Sequence, residues 1–293
     1  MPVRKPPIAA GPVDAHVHLR DRTGPASAAA AGVLAIRDAG AKDGAGLGCT
    51  KPGVSGDVPA VLSAGWALFS KGGYGSAFGV PVGSTDEIKS QILRLKAAGA
   101  GIIKVITSGM VSLEDPGAIA PGGLERDAIA FAVLEARRLG LGVMAHANGE
   151  AAIISSAEAG VRSLEHGFFM TGRALELMAQ KKIFWVPTVG ALARAADRAG
   201  GQARTFVEGL IHDHLAMIRR AHAIGVPLAV GTDCVLPDPR YKEAYAAELA
   251  YFEQAGILRE DVMKIACEGG AELLGFNTQG QGAGDKGRGF TDQ

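Results

Sequence analysis

The chain alternates short, continuously apolar runs with longer stretches in which apolar positions recur about every 3.6 residues. Runs of the first kind predict strands at 13–18, 33–38, 66–70, 102–107, 142–147, 163–166, 184–188 and 228–233. Stretches of the second kind predict helices at 84–98, 123–139, 149–159, 171–180, 203–224, 241–255 and 259–274. Several of these end at glycine, as at Gly99, Gly140, Gly160 and Gly225, where a left-handed residue stops a helix before the next strand. The strands lack inward–outward alternation, the pattern of a parallel sheet covered on both faces. Eight strands with crossovers over about 250 residues predict an α/β chain folded as a (β/α)8 TIM barrel. An open doubly wound sheet fits the same alternation.

Composition narrows the class. The chain has 293 residues, 47% of them hydrophobic and 20% charged, so it can bury a sizeable core. Lys plus Arg is 30 and Asp plus Glu is 30, which leaves no bulk positive charge to attract nucleic acid or an anionic membrane. Three dispersed cysteines, Cys49, Cys234 and Cys267, form neither a disulfide framework nor a CxxC metal site. No run approaches the ~18 apolar residues of a membrane span. The opening Met1-Pro2-Val3-Arg4-Lys5-Pro6-Pro7 lacks the apolar region of a secretory signal, so a cytoplasmic location is expected. Residues 1–276 are expected to form the barrel and 277–293 a glycine-rich flexible tail. A formal GxGxxG at Gly282–Gly287 has neither a strand before it nor a helix after it, and carries no weight.

The chemistry concentrates at strand ends. In Asp14-Ala15-His16-Val17-His18 the two histidines lie two apart on a strand, so their rings share a face suited to Zn, Mn, Fe, Co or Ni. Two strand histidines bonded to their neighbours would read the same way. The second HxH, His212 and His214, falls in a helical stretch, where residues two apart diverge by about 200°. Those two, with His222, are assigned to surface or packing. Lys104 interrupts the apolar run Ile102-Ile103-Lys104-Val105-Ile106; burial there would favour a neutral amine able to add CO2. Taken alone, Lys104 reads better as a lysine snorkelling from a strand end. His146, His166 and Asp233 each close an apolar strand. Together, His16, His18, Lys104, His146, His166 and Asp233 would reach one barrel mouth. No GxSxG elbow, phosphate loop or HExxH helix competes with them, and Cys234, facing away from Asp233, is assigned to the core.

This set, in this order along the strands, resembles the amidohydrolase superfamily. Ile102–Gly109, Val143–Ala147 and Val161–Gly167 look like its prolidase and aminoacyl-dipeptide hydrolase branch, which carries a carboxylated lysine, and Gly231-Thr232-Asp233 fits as well. The resemblance covers roughly residues 12–276. It implies two divalent ions, with zinc the expected metal. His16, His18 and Asp233 would hold the more buried ion and His146 and His166 the more exposed one. A carbamate formed from CO2 on Lys104 and a hydroxide would bridge them. Asp233 would serve as general acid and base in hydrolysing an amide, peptide or cyclic-amide C–N bond of a small-molecule substrate.

Three departures bear on this. The β-sandwich usual in the family has too little chain on either side of the barrel, so it is expected to be absent and a homo-oligomer could cover the surface it leaves. Asn148 stands two after the strand-five histidine, where that branch often has Tyr or His against substrate. Arg20, in His18-Leu19-Arg20-Asp21, resembles the dihydroorotase form of the first motif and could pair with a substrate carboxylate, or lie on the surface. Two other readings stay open: a mononuclear deaminase of the same superfamily, with Glu150 as its nearest candidate proton shuttle, and a catalytically degenerate binding barrel.

Overall fold

The computed structural model describes residues 11–49 and 58–276. In chain order it contains β1 (Val13–Leu19), α1 (Gly24–Ala30), β2 (Ala35–Asp38), β3 (Ala60–Ser63), β4 (Ala67–Ser70), β5 (Gly79–Val82), α2 (Thr85–Ala97), β6 (Ile102–Ile106) and α3 (Arg126–Arg138). Then come β7 (Gly142–Ala147), α4 (Glu150–Ala159), β8 (Ser163–His166), α5 (Gly172–Lys181), β9 (Phe184–Val186), α6 (Val189–Arg198) and α7 (Gly201–Ala223). The last elements are β10 (Cys234–Leu236), α8 (Tyr241–Gln254), α9 (Arg259–Lys264) and α10 (Gly270–Leu274). The glycine-rich segment from residue 277, with its GxGxxG match, lies outside the described residues.

Every strand ladder among the described residues is parallel. One sheet runs β10-β1-β2-β3, the other β5-β4-β6-β7-β8-β9. β1, β2 and β6 are buried along their whole length, as continuous apolar runs under helices require. Backbone bonds also run between the sheets. Gly101 N–H donates to Ser63 O at 3.0 Å; at the other side Trp185 bridges Leu228, and Ala15 N–H donates to Val230 O at 2.8 Å.

The expected helices form for local reasons. In α2 the Ser84 hydroxyl accepts from Glu87 N–H, Asp86 and Glu87 occupy the positive end, and Ile88, Ile92 and Leu95 make one buried stripe. Gly99 (φ 93°) then turns the chain in a conformation costly for any residue with a Cβ.

Four features depart from the sequence reading. β3 and β5 are additional; β5 carries Pro81, tolerated because it lies at a sheet edge. Helices α1 and α6 are additional too. The stretch 259–274 is interrupted by a π-turn at Ile265–Gly269. The eighth expected strand, 228–233, makes separate backbone bonds to both neighbours (Ala229 N–H to Trp185 O, Ala15 N–H to Val230 O, Asp233 N–H to His16 O) but no continuous ladder, which begins one residue later at β10. The cause is Asp14, whose carboxylate accepts from the backbone N–H groups of His16 (3.0 Å) and Thr232 (3.1 Å) and so takes amides a ladder would use.

Candidate metal centre

All six polar residues read from the strand ends line one cavity of about 270 Å³. His16 Nε2 and His18 Nε2 each lie 3.4 Å from Asp233 Oδ1, and the donor atoms of the three fall within 4.8 Å of one another. His146 and His166 pack ring to ring at 4.6 Å between centroids, and His166 reaches His16 at 5.0 Å. Lys104 lines the same cavity and is 3% exposed, so it does not snorkel.

Partners behind the site orient the rings. Glu165 Oε2 lies 2.7 Å from His16 Nδ1, Gly40 O lies 2.6 Å from His18 Nδ1, and Thr188 Oγ1 lies 2.8 Å from His166 Nδ1. A carboxylate or carbonyl can only accept, so the Nδ1 atoms of His16 and His18 carry the protons and their Nε2 lone pairs face the cavity. His16 Nε2 is buried and has no hydrogen-bond partner. A lone pair orphaned in this way, beside a second imidazole and a carboxylate, fits a divalent cation.

Electrostatics favour neutral ligands. Burial, reinforced by Lys104, lowers His16 to about 4 and His146 to about 3. Burial and the neighbouring His146 hold His166 well below the ordinary imidazole range. Lys104 is lowered to about 8 by burial, which Glu165 and Asp233 oppose only in part. Asp233 sits well below the usual carboxylate range despite burial, because His18, His16 and His166 surround it.

Two of the cavity-lining residues depend on unusual backbone. His166 (φ 63°) and Asp233 (φ 54°) adopt left-handed conformations that non-glycine residues rarely enter. Strict alternation would send Glu165 and His166 to opposite faces; the left-handed turn brings both to the site. Glu165 was missed for that reason. Arg37 was missed as well. It is wholly buried in β2, donating to Ala15 O (2.6 Å), Ser163 Oγ (2.8 Å) and both Glu165 oxygens (2.9 and 3.0 Å). Its signal was a charged residue inside an apolar strand, which demands a partner.

Other expected positions fall elsewhere. Arg20 is exposed and lines, with Lys42 and Asp43, an open cleft that adjoins the cavity and shares His18 and Phe78 with it. Asn148 is buried outside the cavity lining; its side chain donates to Gly109 O (3.3 Å), contacts His146 Nε2 (3.2 Å) and accepts from Phe168 N–H (3.1 Å). Glu150 accepts from the Thr171 hydroxyl and also lies outside the lining. His212 and His222 are exposed, whereas His214 is buried against Pro187 O. Cys234 is buried, and burial pushes its thiol up to about 11.

The model of the amidohydrolase family matches residues 8–281. The chain belongs to the amidohydrolase family. Among curated members, ochratoxinase of Aspergillus niger is 27% identical over 259 residues, 77% of this chain and 53% of that protein. An uncharacterized Mycobacterium tuberculosis protein is 26% identical over 250 residues, 83% of this chain and 65% of its own length. The chain thus spans about half the length of ochratoxinase. Solved amidohydrolase folds agree: a Xaa-Pro dipeptidase with bound methionine superposes with a TM-score of 0.75 at 20% identity, over 90% of this chain and 75% of that one. The A. niger ochratoxinase structure gives 0.76 at 24% identity, over 93% and 73%. These likenesses show the fold. No described helix is long and apolar enough to cross a membrane.

Proposed function

We propose that this chain is a binuclear metal-dependent hydrolase that cleaves the C–N bond of an amide, peptide or cyclic amide. The observation that carries this reading is the meeting of six polar side chains in one buried cavity, with His16 Nε2 left without a partner. The bonds between the two sheets support their closure into a (β/α)8 barrel.

His16, His18 and Asp233 would hold one ion, and His146 and His166 the other. Bound divalent cations would supply a water acidic enough to ionise near neutral pH and would polarise the scissile carbonyl. The protein supplies the rest. Glu165, Gly40 and Thr188 hold three rings in place. Asp233, with Oδ1 between two imidazoles, takes the proton of the attacking water and passes it to the leaving nitrogen. Neutral Lys104 would add CO2 with loss of a proton, and the carbamate so formed would supply the centre with an anionic ligand. At pKa 8 about a tenth of the amine is neutral at pH 7, against well under a thousandth for an ordinary lysine. At fixed dissolved CO2, metal reconstitution should therefore accelerate about fivefold from pH 7 to pH 8 and level off above pH 9. A rate independent of pH over that range would remove the carbamate.

Tyr74, Phe78, Ile106, Met110, Phe168 and Leu192 line most of the cavity, with Arg198 the one further charged residue beyond the six among the described residues of the lining, so an apolar group beside the scissile bond is favoured. In a panel of acyl amino acids and cyclic amides, apolar substrates should exceed charged counterparts at least about tenfold in kcat/KM, the value of burying one such group. The deciding measurement is this panel together with metal content. Well under one divalent ion per purified chain, or a metal-replete protein inactive on every substrate, would defeat the reading. Ammonia release with a single ion would favour the deaminase.

A further inference from the structure

Helix α6 begins at a residue that does not cap it. Thr188 is at the N-cap, where a threonine hydroxyl ordinarily accepts from the second or third helical N–H. Here Thr188 is left-handed (φ 50°, ψ 47°), makes no side-chain cap bond, and places Oγ1 2.8 Å from His166 Nδ1. Ala191 N–H donates to the Thr188 backbone carbonyl at 3.0 Å, and the first two helical amides are taken from outside the helix. Val189 N–H donates to Glu248 Oε1 at 2.8 Å and Gly190 N–H to Oε2 at 2.7 Å. Glu248 comes from α8 and is wholly buried. Glycine at 190 gives it room: a Cβ there would stand 3.0 Å from Oε2, so the carboxyl would have to give by a few tenths of an ångström. Farther along α6, Arg194 Nη2 donates to the backbone carbonyls of Thr232 (2.8 Å) and Asp233 (3.1 Å). One ten-residue helix therefore touches His166 at its start and Asp233 from its middle.

We propose that Glu248 is a positioning residue of this centre: by capping α6 in place of Thr188, it releases the Thr188 hydroxyl to hold His166 Nδ1 and anchors the helix that braces Asp233. The roles of His166 and Asp233 rest on the hydrolase reading, but the exchange of caps does not. Without the Glu248 carboxyl oxygens the Gly190 amide loses its acceptor, and an N-cap hydroxyl is the group that ordinarily meets the second helical N–H. Capping that amide would require Thr188 to leave its left-handed conformation for the extended one of an ordinary N-cap, which turns the hydroxyl away from His166 Nδ1.

The test uses the full chain without metal, labelled with ¹⁵N-histidine. In the wild type His166 should show a hydrogen-bonded Nδ1. Glu248→Gln, which keeps one acceptor oxygen and turns an NH2 toward the other amide, should lose that signature and speed hydrogen exchange in α6 by roughly fivefold or more, with α2 unchanged. Thr188→Val should lose the same His166 signature while α6 exchange stays within about twofold of wild type. Gly190→Ala, which crowds Oε2, repeats the Glu248 test if Glu248→Gln does not fold. A wild-type His166 signal in the Glu248 variant, whatever its α6 exchange, overturns the proposal, as does an unchanged signal in Thr188→Val. Neither metal nor substrate is present, so failure here leaves the hydrolase reading standing. An inactive panel would leave the capping exchange standing.

Discussion

Lys104→Ala is expected to lose bound metal and about 1000-fold or more in turnover together, the scale of removing a principal electrostatic stabiliser. Lys104 is the one charged residue of β6, enclosed by Ile102, Ile103, Val105 and Ile106. Burying a lysine there has a large desolvation cost, seen in its lowered pKa of about 8. A lysine that only needed its charge solvated would direct it to water; this one stays buried beside His16, His146 and His166. Alanine removes the amine that, in the proposed mechanism, would carry the carbamate. Metal content by atomic emission and turnover on the best panel substrate decide the matter. A variant that keeps both would end the bridging role and leave Lys104 a buried packing residue.

Arg37→Ala is expected to destabilise the fold by about 3–5 kcal/mol, the cost of breaking a buried ion pair by removing one partner. Glu165 has no exposed surface. Burial pushes its carboxyl up, but Arg37, His16 and Lys104 outweigh burial and hold it at about 2. Its folded pKa lies below the unfolded 4.5, so its stabilisation is full above pH 4.5 and is lost as pH falls toward 2. Without Arg37 the carboxyl rises and the unpaired charge beneath His16 is penalised. Urea unfolding should therefore show the deficit in full at pH 7 and a smaller one near pH 4. A deficit under about 1 kcal/mol at pH 7 would show that the guanidinium is replaceable there.

Legibility followed the reach of each signal. His16 and His18 could be paired because strand alternation is local, and both do face Asp233. His146, His166, Lys104 and Asp233 could be grouped because each ends or interrupts an apolar run, where a polar side chain is conspicuous. The first HxH lines the cavity; the helical one splits into exposed His212 and buried His214, as a 3.6-residue period requires. Glu165 escaped because a left-handed His166 breaks the alternation the reading relied on. Glu248 escaped because it is one acid among several on α8, and its work is done 58 residues away in sequence. Arg20 and Asn148 were placed by motif position, and both lie outside the cavity lining.

The sequence by itself determined the alternation of strand and helix, the burial of the strands on both faces, and the six polar residues at their ends. These follow from periodicity and punctuation, which act over a few neighbouring residues. Only the tertiary structure decided which ring nitrogen faces the cavity, which carboxylate stays ionised, and which helix steadies His166. Those properties depend on partners far apart in the chain, such as His16 and Glu165 at a separation of 149 residues, and on the loss of water around them. No local pattern encodes either.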